Sequence, residues 1–404
     1  MAEDAAALET ERGAAPQGLT GGGVARIAAI DMLRGLVIAL MVLDHVRDFF
    51  HVDAARFDPT NPLLSTPSLF ATRWVTHLCA TSFVFLAGVS ILLQKENGKG
   101  GAELRRFLLT RGAWLILLEL TVVSFGFHFA EPMLFVQVIW AIGAGMICMS
   151  LLVGLRPAAV LGIGVALVAA GPALVSATDG ASGAAALLRT LMLAPGALNA
   201  APGFVAYPLL PWFAVMCIGF GVGPLFRLPT ERRNVRVLAL AAGLLATFLV
   251  LRTLNGYGDP VPWQPLPQWW RSAMSYLNVS KYPPSPDFVL ATLGASLLAF
   301  LVLRALRGPL RSILLTFGRT PLFTYVCHIY IAHGLMLLAA IAAGFPASVA
   351  TAFLLSDATV RMGWGVPLWA AYGVWLLVLA LLYPLSRWFE RLRDRRRDWW
   401  LRYL

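Results

Sequence analysis

Ten stretches of this chain are apolar enough, and close enough to about 20 residues long, to cross the hydrocarbon core of a bilayer. No soluble fold has use for so many. Breaking the runs at charges, Gly and Pro places them near residues 27–50, 73–94, 107–127, 133–154, 157–177, 205–226, 235–253, 287–305, 320–343 and 366–388. Composition agrees: 58% of the 404 residues are apolar and 13% charged, with a mean hydropathy of +0.72. Soluble domains run at about 45–50% and about 25%. The expected fold is an all-α polytopic transmembrane bundle of about ten spans. Residues 1–25, small, polar and partly acidic, read as a disordered cytoplasmic tail; 26–390 as the membrane domain; 391–404 as a basic cytoplasmic tail. The apolar stretch 185–200 is short and reads as re-entrant or interfacial.

The net charge of +11 is topology rather than a nucleic-acid footprint, because the basic residues alternate between connections. Lys95, Lys99, Arg105 and Arg106 share one loop, and Arg227, Arg232, Arg233 and Arg236 another. Arg304, Arg307 and Arg311 fill a third, and seven arginines lie between 387 and 402. The intervening connections hold few. Both termini are therefore expected on the cytoplasmic side, with the excess charge facing anionic headgroups. The four cysteines, Cys79, Cys148, Cys217 and Cys327, all fall inside apolar runs with no paired spacing, and read as small buried hydrophobes.

The first span is unusual. Within DMLRGLVIALMVLDHVRDFFH, residues 31–51, lie Asp31, Arg34, Asp44, His45, Arg47, Asp48 and His51. At about 100° per residue, Arg34 and His45 return to within about 20° of one face, roughly 16 Å apart along the axis. Asp44, Asp48 and His51 share a face, and His45 and Asp48 are neighbours three residues apart. Ionisable groups inside a span cost several kcal/mol unless they face protein or water, so this stripe should line an interior cavity. His45, His51, His77 and His128 all map to the outer halves of their spans, while His328 and His333 lie within the ninth. A zinc site is a weaker reading, since no two histidines stand one helical turn apart as ligands in an HxxxH pair. A histidine beside a carboxylate is better suited to general-base work. The long connection 254–286 is rich in Trp, Tyr and Pro; it reads as an interfacial aromatic belt, or as a lid carrying Trp269 and Trp270 as a stacking platform for a sugar-like molecule.

Six segments then point to one family: DMLRGLVIALMVLDH, TSFVFLAGVSILL, VAYPLLPWFAVMCIGFGVGPLF, LNVSKYPPSPDF, FGRTPLFTYVCHIYIAH and YPLSRWFERLRDRRRDWWLRYL. In these the chain resembles bacterial membrane proteins sharing a catalytic domain with heparan-α-glucosaminide N-acetyltransferase, within the wider transmembrane acyltransferase superfamily. The resemblance implies acyl transfer from cytosolic acetyl-CoA, or another acyl-CoA, to an amine or hydroxyl across the membrane, in a bacterial inner membrane. It matches Arg34 and His45 to an Arg–ten residues–His pattern in which the histidine is essential. It also makes His51 a rival base, because the lysosomal enzyme places its key histidine after this helix.

On this reading the catalytic candidates are His45, Asp44, Asp48 and His51. Arg34, Asp31, Arg319 and His328 are candidates for the donor, and His77, His128, Lys281, Trp269 and Trp270 for the acceptor. No metal is expected. The acceptor expected is a glycan, cell-wall sugar or lipid headgroup; membrane lipids are partners, nucleic acid is not, and a homodimer is expected. The rival readings are a proton-coupled transporter using the same intramembrane groups, and a lipid- or glycan-binding protein without chemistry.

Overall fold

Each of the ten apolar stretches supplies a helix. The structure, a computed structural model, describes residues 27–54, 56–129, 133–198, 202–348, 363–396, 398 and 401; the N-terminal segment 1–25 lies outside them. In chain order come α1 (Ala28–Phe50), α2 (Pro67–Thr76), α3 (Leu78–Glu96) and α4 (Gly101–Leu118). A π turn over Glu119–Val123 leads to α5 (Ser124–Phe127), β1 (Leu134–Val136), α6 (Val138–Leu152), α7 (Pro157–Ser176) and α8 (Gly183–Met192). Then follow β2 (Gly196–Ala197), β3 (Gly203–Val205), α9 (Leu209–Val222), α10 (Thr230–Leu254), α11 (Trp269–Leu277), α12 (Pro286–Leu303), α13 (Gly308–Arg319), α14 (Pro321–Ala342) and α15 (Leu368–Arg395).

Eight of these helical runs are long and apolar enough to cross a membrane. The other two expected spans depart from that standard for physical reasons. α1 carries its charges inside, and α6 has only 15 residues. The short α6 is preceded by β1, which joins a three-stranded sheet of order β1–β3–β2. β1 pairs parallel to β3 from Leu134↔Gly203 to Val136↔Val205, and β2 pairs antiparallel to it. The sheet gives non-helical backbone its hydrogen bonds, which backbone in an apolar setting must find within the protein. The stretch 185–200 becomes α8 and β2, and α15 carries the first residues of the basic C-terminal segment as far as Arg395.

α1 is the hub. It packs against α2, α3, α12, α13, α14 and α15, and residues are buried all round it, including Val37, Val42 and Leu43 opposite the charged stripe. Apolar burial gives little advantage between helices in lipid, so close packing has to hold them together. α13, an amphipathic helix between two spans, illustrates how. A Cβ on Gly35 would stand 1.9 Å from the carbonyl oxygen of Leu314, and one on Gly318 would stand 1.7 Å from that of Asp31. The two backbones therefore touch, and only glycine permits it. By contrast, α7 buries only Val160 and Gly164, the pattern of a helix with most of its surface turned to lipid.

Candidate active site

The charged stripe on α1 is divided between neighbours at three levels. At the N-terminal end Arg34 Nη1 donates to Asp31 at 3.2 Å, and Nη2 donates to the Ser90 hydroxyl of α3. Arg34 and Ser90 line a cavity of about 280 Å³ with Gln94, Arg111 and Tyr325. Its remaining wall is apolar, supplied by side chains such as Ile38, Phe83, Phe107, Ile142 and Leu322. Asp31 itself is buried beneath α13 rather than on that wall.

About three turns beyond Arg34 along α1 lies His45. Its Nδ1 is 2.7 Å from Nε2 of His328, which α14 brings across from 283 residues away. The rings are within 12° of parallel with centroids 5.0 Å apart, the geometry of an in-plane N–H···N bond rather than a face-to-face stack. Phe127 stands edge-on to His45 at 5.2 Å, and Tyr325 lies edge-on to His328 at 5.4 Å. His45 is only partly buried, whereas His328 is completely so. The partner of His45 is therefore another imidazole and not a carboxylate, contrary to the pairing that spacing along α1 suggests. The sequence neighbours Asp44 and Asp48 project elsewhere.

Asp44 is saturated. It accepts from Arg73 Nη1 at 2.7 Å on both oxygens, from Arg47 Nη2 at 2.9 Å and from Thr76 Oγ1 at 2.7 Å. Asp48 accepts from the same Arg47 nitrogen at 2.5 Å. Beyond this network opens a second, polar cavity of about 530 Å³. Arg47, Asp48, Arg73 and His77 form its floor, and Asn278, Ser280, Lys281 and Tyr282 reach over it from the long connection. Burial would raise the Tyr282 hydroxyl, but Lys281 and Arg73 beside it pull it below the usual phenol value.

That connection is anchored by a residue the sequence reading passed over. Arg252, 2% exposed at the end of α10, donates to the carbonyls of Tyr276, Val261, Ser275 and Asn278 at 2.6–3.0 Å. It also stands 4.0 Å from Asp259 and from Asp287. Asp259 in turn accepts from Ser280 N, Ser280 Oγ and Ser285 Oγ, holding Lys281 between two fixed residues. Arg73 and Arg252 share one legible signal, an arginine at the outer end of an apolar run.

The remaining candidates are dispersed. His51 caps α1, with Nδ1 accepting the Asp53 amide at 3.2 Å and its backbone bridged to Val366; it touches neither His45 nor Asp44. His128 is buried edge-on to Phe135. Arg319 is paired with Glu390 at 2.9 Å and lies outside the Arg34 cavity wall. Trp269 is 81% exposed and Trp270 carries Arg271 over its ring, and neither lines the Lys281 cavity. His333 Nδ1 donates to the Gly126 carbonyl at 2.8 Å, and its ring stacks on Phe129 at 4.0 Å.

A charged, paired and buried network near the C-terminal end of α1, with one cavity against it and another toward the helix's N-terminal end, is the kind of arrangement that marks a functional site inside a span. A sequence model of the family described as heparan-alpha-glucosaminide N-acetyltransferase, catalytic, matches residues 26–254, more than half of the chain and all of α1 to α10. The chain belongs to this family. No curated protein matches the chain. The family is one of N-acetyltransferases, and its catalytic domain is here a multi-pass membrane bundle. The matched region holds His45, Asp44, Arg47 and Arg73; His328 and Lys281 come from beyond it.

Proposed function

We propose that this acetyltransferase-family protein moves an acetyl or similar acyl group from a cytosolic acyl-CoA in the Arg34 cavity to an amine or hydroxyl in the Lys281 cavity. The observation carrying this reading is that the two cavities lie at opposite ends of α1, with the His45–His328 pair between them. The alternation of basic connections supports placing the Arg34 end toward the cytoplasm.

The chemistry follows from the pair. For His45 to take a proton at Nε2, its Nδ1 must carry the hydrogen, and His328 Nε2 is the acceptor that holds it there. The acceptor nitrogen or oxygen attacks the thioester carbonyl as its proton passes to His45 Nε2. The new C–N or C–O bond forms, the C–S bond breaks, and the leaving thiolate takes the proton from the imidazolium. Arg34 and Arg111 at the other end of the cavity suit the phosphates of the donor, and the apolar wall suits its pantetheine arm and excludes water from the thioester.

Purified protein in lipid nanodiscs is expected to be stabilised thermally by acetyl-CoA and to release free CoA when an amino sugar such as glucosamine is added. His45→Ala should lower that release by about 10²–10⁴-fold, the usual worth of a general base, while keeping the thermal shift. A protein that acetyl-CoA does not stabilise, or a His45→Ala variant as fast as the parent, overturns the reading.

A further inference from the structure

Lys281 is 6% exposed and lines the larger cavity. Its ammonium makes no hydrogen bond and no ion pair with the described residues; Nζ stands over the faces of Tyr282, at 5.0 Å, and Tyr207, at 5.9 Å. A buried ammonium is costly unless paired. Asp44, within electrostatic range, is already occupied by two arginines and a threonine. Arg47, itself 2% exposed, spends one nitrogen on both Asp44 and Asp48, and its Nε and Nη1 have no acceptor. The deep part of the cavity thus sets three cations, Arg47, Arg73 and Lys281, against two carboxylates. At the rim, Arg56 and Asp58 add one charge of each sign to the wall, Asp58 turned onto Thr60 and Arg56 paired with Asp53, so they leave the excess of positive charge in the deep part in place.

We propose that this cavity binds an acceptor carrying an anionic group, a carboxylate or a phosphate ester, whose charge is taken up by Lys281 together with Arg47 and Arg73. The assignment rests on the acyl-transfer reading for the word acceptor alone; the anion site stands on the cavity itself. Asp48, also on the floor, then faces the amine or hydroxyl end of the same molecule. The anion fixes that molecule so that its nucleophile is presented toward His45. The two tyrosine faces around Lys281 leave the ammonium desolvated on its protein side, so that its remaining hydrogens point at the ligand.

The test is binding without any donor present, which separates it from catalysis. Thermal shift and calorimetric titration of the nanodisc-embedded protein would compare glucosamine, glucosamine 6-phosphate and muramic acid, which share the amino sugar and differ in carrying no anion, a phosphate or a carboxylate. The expected result is at least about tenfold tighter binding of one anionic sugar than of glucosamine, weakening as salt is raised. The sugar favoured identifies the anion. Lys281→Met should abolish that preference and Lys281→Arg should retain most of it, with acetyl-CoA stabilisation unchanged in both. Equal binding of all three sugars by the parent protein overturns the proposal, and so does an undiminished preference in a folded Lys281→Met. Were Lys281→Met not to fold, the comparison of sugars on the parent and on Lys281→Arg still decides. If acetyl-CoA fails to bind while the anionic preference holds, the transfer reading falls and the anion site remains.

Discussion

The two cavities are built on opposite physical terms. The Arg34 cavity is a slot between spanning helices, mostly apolar with a few polar residues such as Arg34, Ser90 and Arg111, and its shape is set by packing such as the Gly35–Leu314 and Gly318–Asp31 contacts. The Lys281 cavity is wider and polar, roofed by connections rather than helices, and its shape is set by hydrogen bonds radiating from Arg252 and Asp259. A slot of the first kind suits a long flexible molecule recognised at its charged end. A bowl of the second kind suits a compact polar one recognised on several sides. The difference also predicts separable damage, because each cavity can be broken without touching the other.

The largest effect should come from Arg252→Met. It strips four carbonyls of their donor and leaves Asp259 and Asp287 buried without their shared cation, the kind of loss that costs about 3–5 kcal/mol. We expect a clear fall in melting temperature and loss of binding in the Lys281 cavity, with acetyl-CoA still protecting what remains folded. Equal loss of acetyl-CoA binding would show that the two cavities are not independent. Next in size is Arg34→Gln, which removes one charge-assisted contact worth about 1.5–3 kcal/mol. Affinity for acetyl-CoA should drop by about 10–100-fold with amino-sugar binding unaltered, measured by titration of each ligand separately.

How far sequence could reach differs between the two cavities for the same reason. The α1 stripe was legible because helical periodicity fixes which of Arg34, Asp44, His45 and Asp48 share a side. Their partners were not. His328 is 283 residues from His45, and Arg73 meets Asp44 only because the 51–66 connection turns α2 back over the end of α1. Periodicity places groups on one helix and is silent about what another helix brings. The same limit explains the expected pairing of His45 with a carboxylate. Residues 44 and 45 are adjacent, about 100° apart around the helix, and each took a partner from a different neighbour. Eight of the ten expected spans came through as long apolar helices because length and hydropathy alone decide them, while α1 and α6 are helices that fall short of that standard. The small sheet did not come through, since strands of two or three residues carry no period to read.

His328→Gln sharpens the comparison from the middle. Glutamine can still offer an oxygen to the Nδ1 hydrogen of His45, whereas His328→Phe cannot. The glutamine variant should keep kcat within about tenfold and the phenylalanine variant should lose more, with KM for acetyl-CoA and for the amino sugar little changed in either. A parallel rise in either KM would move His328 from positioning the base to lining one cavity.

The smallest effect should be that of Trp269→Ala. An indole on the connection above a sugar-sized cavity invites the role of stacking platform, but 81% of Trp269 is exposed. The residues that the connection does send into the cavity are Val261 and those from Asn278 to Tyr282. An exposed indole at the end of a spanning bundle is better placed for the headgroup layer, where its apolar ring and N–H are both accommodated. Removing it should change amino-sugar affinity by no more than about 0.5 kcal/mol, the ordinary range for a surface substitution. It should also remove part of the tryptophan emission that brominated lipids quench. A tenfold weaker amino-sugar affinity in Trp269→Ala, with unaltered quenching, would instead place this ring over the acceptor and make the roof of the Lys281 cavity a mobile, stacking lid.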